Sequence, residues 1–173
     1  IDLMERACRA FINWFVEHFD NGNVVWIVCG TGNNGGDGLG VARMLKDRGF
    51  PVMVWIVRGS ASETPDFKNN LELARKNKIE ILEIIGITEE GLFDNCEVIV
   101  DAVFGTGLSR SVDGIYAEVI QRINLTEAKR VAIDIPSGLM ADKISEGPIV
   151  EADYTVSFQL PKLSFLLPQC HSF

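Results

Sequence analysis

Two rhythms of apolar residues alternate along this chain. Unbroken apolar runs at 24–28 and 51–57, and the run 98–104 broken only by Asp101, are strand length, and 79–84, 130–135 and 154–158 carry similar apolar signals. Between them, apolar positions recur every third or fourth residue. A helix over 2–19 places Leu3, Ala7, Ala10, Phe11, Trp14, Phe15 and Val16 on one side, with Asp2 spaced from Glu5 as in a capping box. Asp20-Asn21-Gly22-Asn23 breaks it. Further helices are predicted over 36–48, over 66–77 (inward stripe Phe67, Leu71 and Ala74), briefly near 88–93, and over 114–124 (Ile115, Val119, Ile120 and Ile123). Strands alternating with helices imply right-handed βαβ units, so the predicted fold is α/β, a doubly wound, mostly parallel sheet covered on both faces. Polar loops fall at 60–65 and 140–150, and the apolar segment 160–165 follows the last strand. No repeat, low-complexity tract or linker interrupts the pattern, so 1–173 reads as one domain. Ile1 is not an initiator methionine and Phe173 follows an apolar run, so the domain is expected to be truncated at one or both ends.

The first strand feeds into Cys29-Gly30-Thr31-Gly32-Asn33-Asn34-Gly35-Gly36-Asp37-Gly38-Leu39-Gly40. Residues 30–35 satisfy G-x-G-x-x-G between a strand and a helix, the dinucleotide-binding pattern. Two details argue against an ordinary site of that kind. Asp37 would repel a pyrophosphate at the helix start, and the strand 51–57 ends in Arg58-Gly59 where a ribose-binding acid is expected. No Gly-Lys-Ser/Thr follows, which excludes a P-loop. Asn33, Asn34 and Asp37 suit a cradle for sugar hydroxyls or a cation.

A net charge of −8, from 24 acidic and 16 basic residues, together with the lack of a basic cluster, argues against nucleic acid as the ligand. Cys8, Cys29, Cys96 and Cys170 show no metal-ligand spacing and read as reduced thiols of a cytoplasmic protein. No apolar run is long enough to span a membrane. His18 and His171 are isolated.

Loops at 30–37, 105–111 and 134–138 all follow strand C-termini, the edge at which parallel sheets bind ligands. Asp101 and Asp134 punctuate apolar strands there and need partners, since burying a bare charge is costly. A cation, a set of backbone amides or a ligand hydroxyl would each serve. Asn34 and Ser137 can join Asp101 in an oxygen set suited to a hard cation and not to zinc. Lys162, in an apolar segment, and Arg110 are read either as phosphate partners or as solvated surface cations.

Gly30 to Gly38, then Asp101-Ala102-Val103-Phe104-Gly105-Thr106-Gly107-Leu108-Ser109, then Ala132-Ile133-Asp134-Ile135-Pro136-Ser137-Gly138-Leu139, resemble the YjeF N-terminal domain family, the NAD(P)H-hydrate epimerases. Leu3-Met4-Glu5-Arg6-Ala7 and Pro161-Lys162-Leu163 extend the resemblance over nearly the whole chain. It implies a Rossmann-like three-layer α/β/α sandwich, often dimeric, that interconverts the R and S forms of hydrated NADH and NADPH with a bound potassium ion. Carried across, Asn33, Asn34, Gly35, Gly36 and Asp37 would bind the hydrated nucleotide. Asn34, Asp101 and Ser137 would ligate potassium. Gly105, Thr106, Gly107, Leu108, Ser109, Arg110 and Ser111 would hold phosphates and sugar, and Asp134 would lie near the reacting ring. Asp134 is the expected acid/base, with a raised pKa if it is buried there, and Asp37 is next in line. A fused C-terminal ADP/ATP-dependent dehydratase domain occurs in many bacterial relatives. Thr31 and Met140 depart from the proline and aspartate many relatives carry. The alternatives are a non-catalytic dimerisation scaffold of the same fold, and an ordinary NAD(P) oxidoreductase. Asn34, Asp101, Asp134 and Ser137 together argue against the first; Asp37 and the absent ribose acid argue against the second.

Overall fold

A computed structural model describes residues 2–59, 62–86 and 91–168, without the side chain of Asp2. Cys170, His171, part of the 60–65 loop and the start of the expected 88–93 helix lie outside the described residues. Residues 91–95 form turns rather than helix, with the Asp94 amide donating to the Gly91 carbonyl at 3.1 Å.

The described strands form a parallel sheet: β1 (Val25–Cys29), β2 (Val52–Val57), β3 (Glu80–Ile84), β4 (Val98–Ala102), β5 (Lys129–Ile133) and β6 (Tyr154–Val156). Their spatial order is β3-β2-β1-β4-β5-β6, and each neighbouring pair runs parallel. The helices are α1 (Asp2–His18), α2 (Asn33–Asp47), α3 (Pro65–Lys76) and α4 (Gly114–Asn124), and a short 3-10 helix spans Leu163–Leu166. Chain direction across the sheet reverses between β1 and β4, so their C-terminal ends part there and leave a crevice.

Period-2 alternation builds two cores. Val25, Ile27 and Cys29 pack with Phe11, Ile12 and Phe15 of α1 and with Leu39 and Leu45 of α2, whereas Trp26 and Val28 pack with Val119, Ile120 and Ile123 of α4. The stripes expected on α3 and α4 are buried, apart from the half-buried Ile115. On α1 the buried stripe is Cys8, Phe11, Ile12 and Phe15, which corrects the expected face. Leu3 is 66% exposed, and Ala10 and Val16 are exposed too. The helix is rotated so that Leu3, Ala7 and Ala10 border a cleft while Phe11 and Phe15 take the core. Asp2 is itself helical, so it does not cap α1.

Helix α2 starts at Asn33, three residues before the expected start, because Gly32 adopts the extended N-cap conformation (φ −87°, ψ −168°). A helix opening on Asn-Asn-Gly-Gly runs against propensity, and close approach explains it. A Cβ on Gly35 would lie 1.9 Å from the Gly30 carbonyl oxygen, and one on Gly38 would lie 2.5 Å from Ala102 Cβ. The glycines seat α2 directly on the ends of β1 and β4. β4 and β6 end two residues earlier than expected, because the next backbone groups turn to side chains: the Phe104 amide donates to Ser137 Oγ (2.8 Å) and the Phe158 amide to Asp134 Oδ1 (3.0 Å).

Candidate active site

Two clefts open along the C-terminal edge of the sheet. One, of about 740 Å³, lies between the first turns of α1 and residues 158–162. The other, of about 560 Å³, lies between the glycine turn after β1 and the loop 103–110. Asn33, Asp37, Thr106 and Asp134 line both, so the two clefts meet at this quartet.

Asp37, from α2, faces Asp134, from the tip of β5. Burial, then the charges of Asp134 and Asp66, push the Asp37 carboxyl up to about 7, so it carries a proton for much of the time near neutrality. Asp134 holds a left-handed backbone (φ +69°), a conformation uncommon for any residue but glycine. Its amide donates to the Val156 carbonyl at 2.9 Å. Its Oδ1 accepts from the Phe158 amide and lies 2.8 Å from Lys162 Nζ. Both readings offered for Lys162 are corrected: the side chain is 13% exposed and its ammonium is already occupied by protein oxygens.

Asp101 is fully buried and accepts three donors: the Val103 amide (3.2 Å) and Ser137 Oγ (2.6 Å) on Oδ1, and the Ser137 amide (2.7 Å) on Oδ2. Burial lifts its carboxyl to about 6, while these donors pull the other way. Asn34 Nδ2 donates to the Phe104 carbonyl at 2.8 Å, and Ser137 Oγ accepts from the Phe104 amide. The peptide groups of Phe104 therefore join Asn34 of α2 to Ser137 after β5, and Asp101 braces the junction from below.

This junction carries one carboxylate, one amide, one hydroxyl and a main-chain carbonyl, oxygen donors of the kind that suit a hard cation and not zinc. Among the described residues no group of three or more His, Cys, Asp or Glu could hold a metal, so a zinc-type or multi-carboxylate centre has no ligands here. Cys8 and Cys29 are buried thiols whose pKa burial raises, Cys8 to about 12, which leaves them poor nucleophiles.

Gly105, Thr106, Gly107, Leu108, Ser109 and Arg110 line the smaller cleft beside Asn33 and Asn34. Gly35, Gly36 and Ser111 line neither: the first two are buried under neighbouring backbone and Met4, and Ser111 is exposed outside. Sequence reasoning missed Asp66 and the α1 wall. It also missed Tyr116, which is 8% exposed and lines the smaller cleft, with a buried hydroxyl that has no partner among the described residues. Asp66 carried a signal, since it sits in the first turn of a helix that starts at the ligand edge. Tyr116 lay on the inward side of a predicted helix and carried none.

A family model described as YjeF-related protein N-terminus matches residues 1–164. A NAD(P)H-hydrate epimerase of Levilactobacillus brevis is 41% identical over 166 residues, 95% of this chain and 74% of the relative. One of Limosilactobacillus fermentum is 34% identical over 168 residues, 96% of this chain and 78% of the relative. A bifunctional NAD(P)H-hydrate repair enzyme Nnr of Moorella thermoacetica is 39% identical over 176 residues, which is 96% of this chain and 33% of that longer protein. The crystal structure of yeast ynu0 superposes with a TM-score of 0.76 at 26% identity, covering 99% of this chain and 73% of the yeast chain.

Proposed function

Since this chain belongs to the family of YjeF-related protein N-termini, we propose that its paired clefts perform the NAD(P)H-hydrate epimerase reaction for which its relatives are named. The observation that carries this reading is the Asp37–Asp134 pair at the point where the two clefts meet. The hydrated nicotinamide ring bears a hydroxyl on C6, beside the ring nitrogen. A proton delivered to that hydroxyl lets it leave as water, while the nitrogen lone pair forms a planar iminium. Water then adds to the opposite face and gives its proton back to the protein. The cycle consumes no net proton and needs only positioned proton carriers and a site that holds the flat ring.

Asp134 is the acid/base of this reading. Asp37, which carries a proton for much of the time near neutrality, supplies the second carboxyl from the opposite wall. Two carboxyls from different elements suit a reaction that removes oxygen from one face and returns it to the other. Asn33 and the loop 105–110 would hold sugar and phosphates in the smaller cleft. Asn34, Asp101 and Ser137 would hold a potassium ion, whose charge would offset that of the phosphates and fix the loops.

The same reading makes the protein a homodimer of the cytoplasm, with Cys8, Cys29 and Cys96 as free thiols. No helix among the described residues is long and apolar enough to cross a membrane. A fused dehydratase domain is a further proposal, prompted by the bifunctional relatives. The testing experiment is replacement of Asp134. Asp134→Asn should lower epimerisation about 100-fold or more with the circular dichroism spectrum retained; turnover at the wild-type rate would remove Asp134 from the chemistry.

A further inference from the structure

Lys162 approaches the reacting groups more closely than any other cation whose contacts are described, and its ammonium is held among protein oxygens. Its Nζ is ion-paired with Asp134 Oδ1 at 2.8 Å and donates to the Phe158 carbonyl at 2.8 Å and to the Leu160 carbonyl at 3.2 Å. Oδ1 of Asp134 also takes the Phe158 amide at 3.0 Å, whereas Oδ2 accepts no hydrogen bond among the described residues. Phe158, Leu160, Pro161 and Lys162 themselves form one wall of the larger cleft. The aspartate these contacts surround has a left-handed backbone, so local preference does not hold its side chain in place.

We infer that Lys162 is a positioning residue of the epimerase: its ammonium clamps Oδ1 of Asp134 to the 158–162 segment, so that Oδ2 is the oxygen left for the substrate's hydroxyl. The inference rests on the epimerase reading of the groove. Lys162 acts through Asp134 and touches no substrate. The clamp works on the carboxylate and the wall together, because the carbonyls of Phe158 and Leu160 take two of the three N–H groups. Losing the ammonium frees Asp134 to rotate and frees the wall to move, and small misplacements at a reacting centre are costly. A displacement of about 1 Å can cost on the order of 100-fold in rate.

The test uses Lys162→Met, Lys162→Ala and Lys162→Arg in the whole chain, assayed on the purified S form of hydrated NADH. Lys162→Met should lose roughly 10- to 100-fold in kcat while KM changes less than about twofold, since no substrate contact is removed. Lys162→Arg should recover part of the loss, and ethylammonium added to Lys162→Ala should restore rate saturably. A rise in KM at unchanged kcat would make Lys162 a substrate contact and overturn the inference. A kcat loss that neither arginine nor ethylammonium relieves would reduce it to a structural residue.

Hydrogen exchange at the Phe158 amide gives a readout that does not depend on activity. It should quicken about tenfold or more in Lys162→Met if the ammonium holds the segment on Asp134, and stay unchanged if it does not. Should the wild-type protein itself fail to accelerate epimerisation, the epimerase reading fails, and the exchange rate still decides whether the clamp exists.

Discussion

At the scale of single residues, the proposed chemistry rests on how two carboxyls are kept different. Asp134 is ion-paired and hydrogen-bonded on one oxygen, while Asp37 is buried beside other negative charges and raised to about 7. A carboxyl whose folded pKa is raised binds protons better in the native state than in the unfolded chain. Its contribution to stability is therefore greatest below the unfolded value of about 4 and declines as pH rises towards 7. Asp37→Asn, which is neutral at every pH, should accordingly be more stable than the wild type at pH 8, by on the order of 3 kcal/mol, with the gap closing by pH 4. Urea melts at the two pH values check this; equal gaps at both would mean that Asp37 is solvated. Ser137→Ala removes two of the hydrogen bonds that hold this edge together, one donated to buried Asp101 and one accepted from the Phe104 amide. It should cost about 1–3 kcal/mol, read as a fall in the denaturation midpoint.

At the scale of elements, the site depends on how closely α2 sits on the sheet. Gly38→Ala would place a methyl 2.5 Å from Ala102 Cβ, whereas Gly32 has nothing within 4 Å of its added Cβ. Gly38→Ala should therefore destabilise by about 3 kcal/mol, against about 1 kcal/mol or less for Gly32→Ala; equal melting shifts would contradict the packing. Alternation of strands and helices was legible in the sequence because runs such as Val24–Val28 and the stripe Phe67, Leu71, Ala74 leave little choice of period. The start of α2 was not legible, because Gly-Gly reads as a loop until its partners Gly30 and Ala102 are known to lie within contact. The face of α1 was missed for a related reason: Leu3, Ala7 and Ala10 are apolar because they border a cleft, and single-sequence patterning cannot tell a cleft wall from a core face. Of the candidate site, the three loops and both aspartates were legible as carboxylates at strand ends. The partner of Lys162 was not, since the contact with Asp134 crosses from one loop to another.

At the scale of the whole molecule, the strand order β3-β2-β1-β4-β5-β6 brings three loops of separate origin to one edge, and the Phe104 peptide groups, with Asn34, Ser137 and Asp101, fasten them together. On the proposed reading, a cation bound at this junction would stiffen the smaller cleft, which Asn34 and Phe104 line. The most direct measurement is the rate at which the protein converts purified S-form hydrated NADH to the R form, with and without potassium, with epimers separated by reverse-phase chromatography and the spontaneous rate subtracted. The epimerase assignment predicts an initial rate well above background that falls when potassium is replaced by a larger organic cation. A rate equal to background in both buffers, from protein shown to be folded, would contradict it.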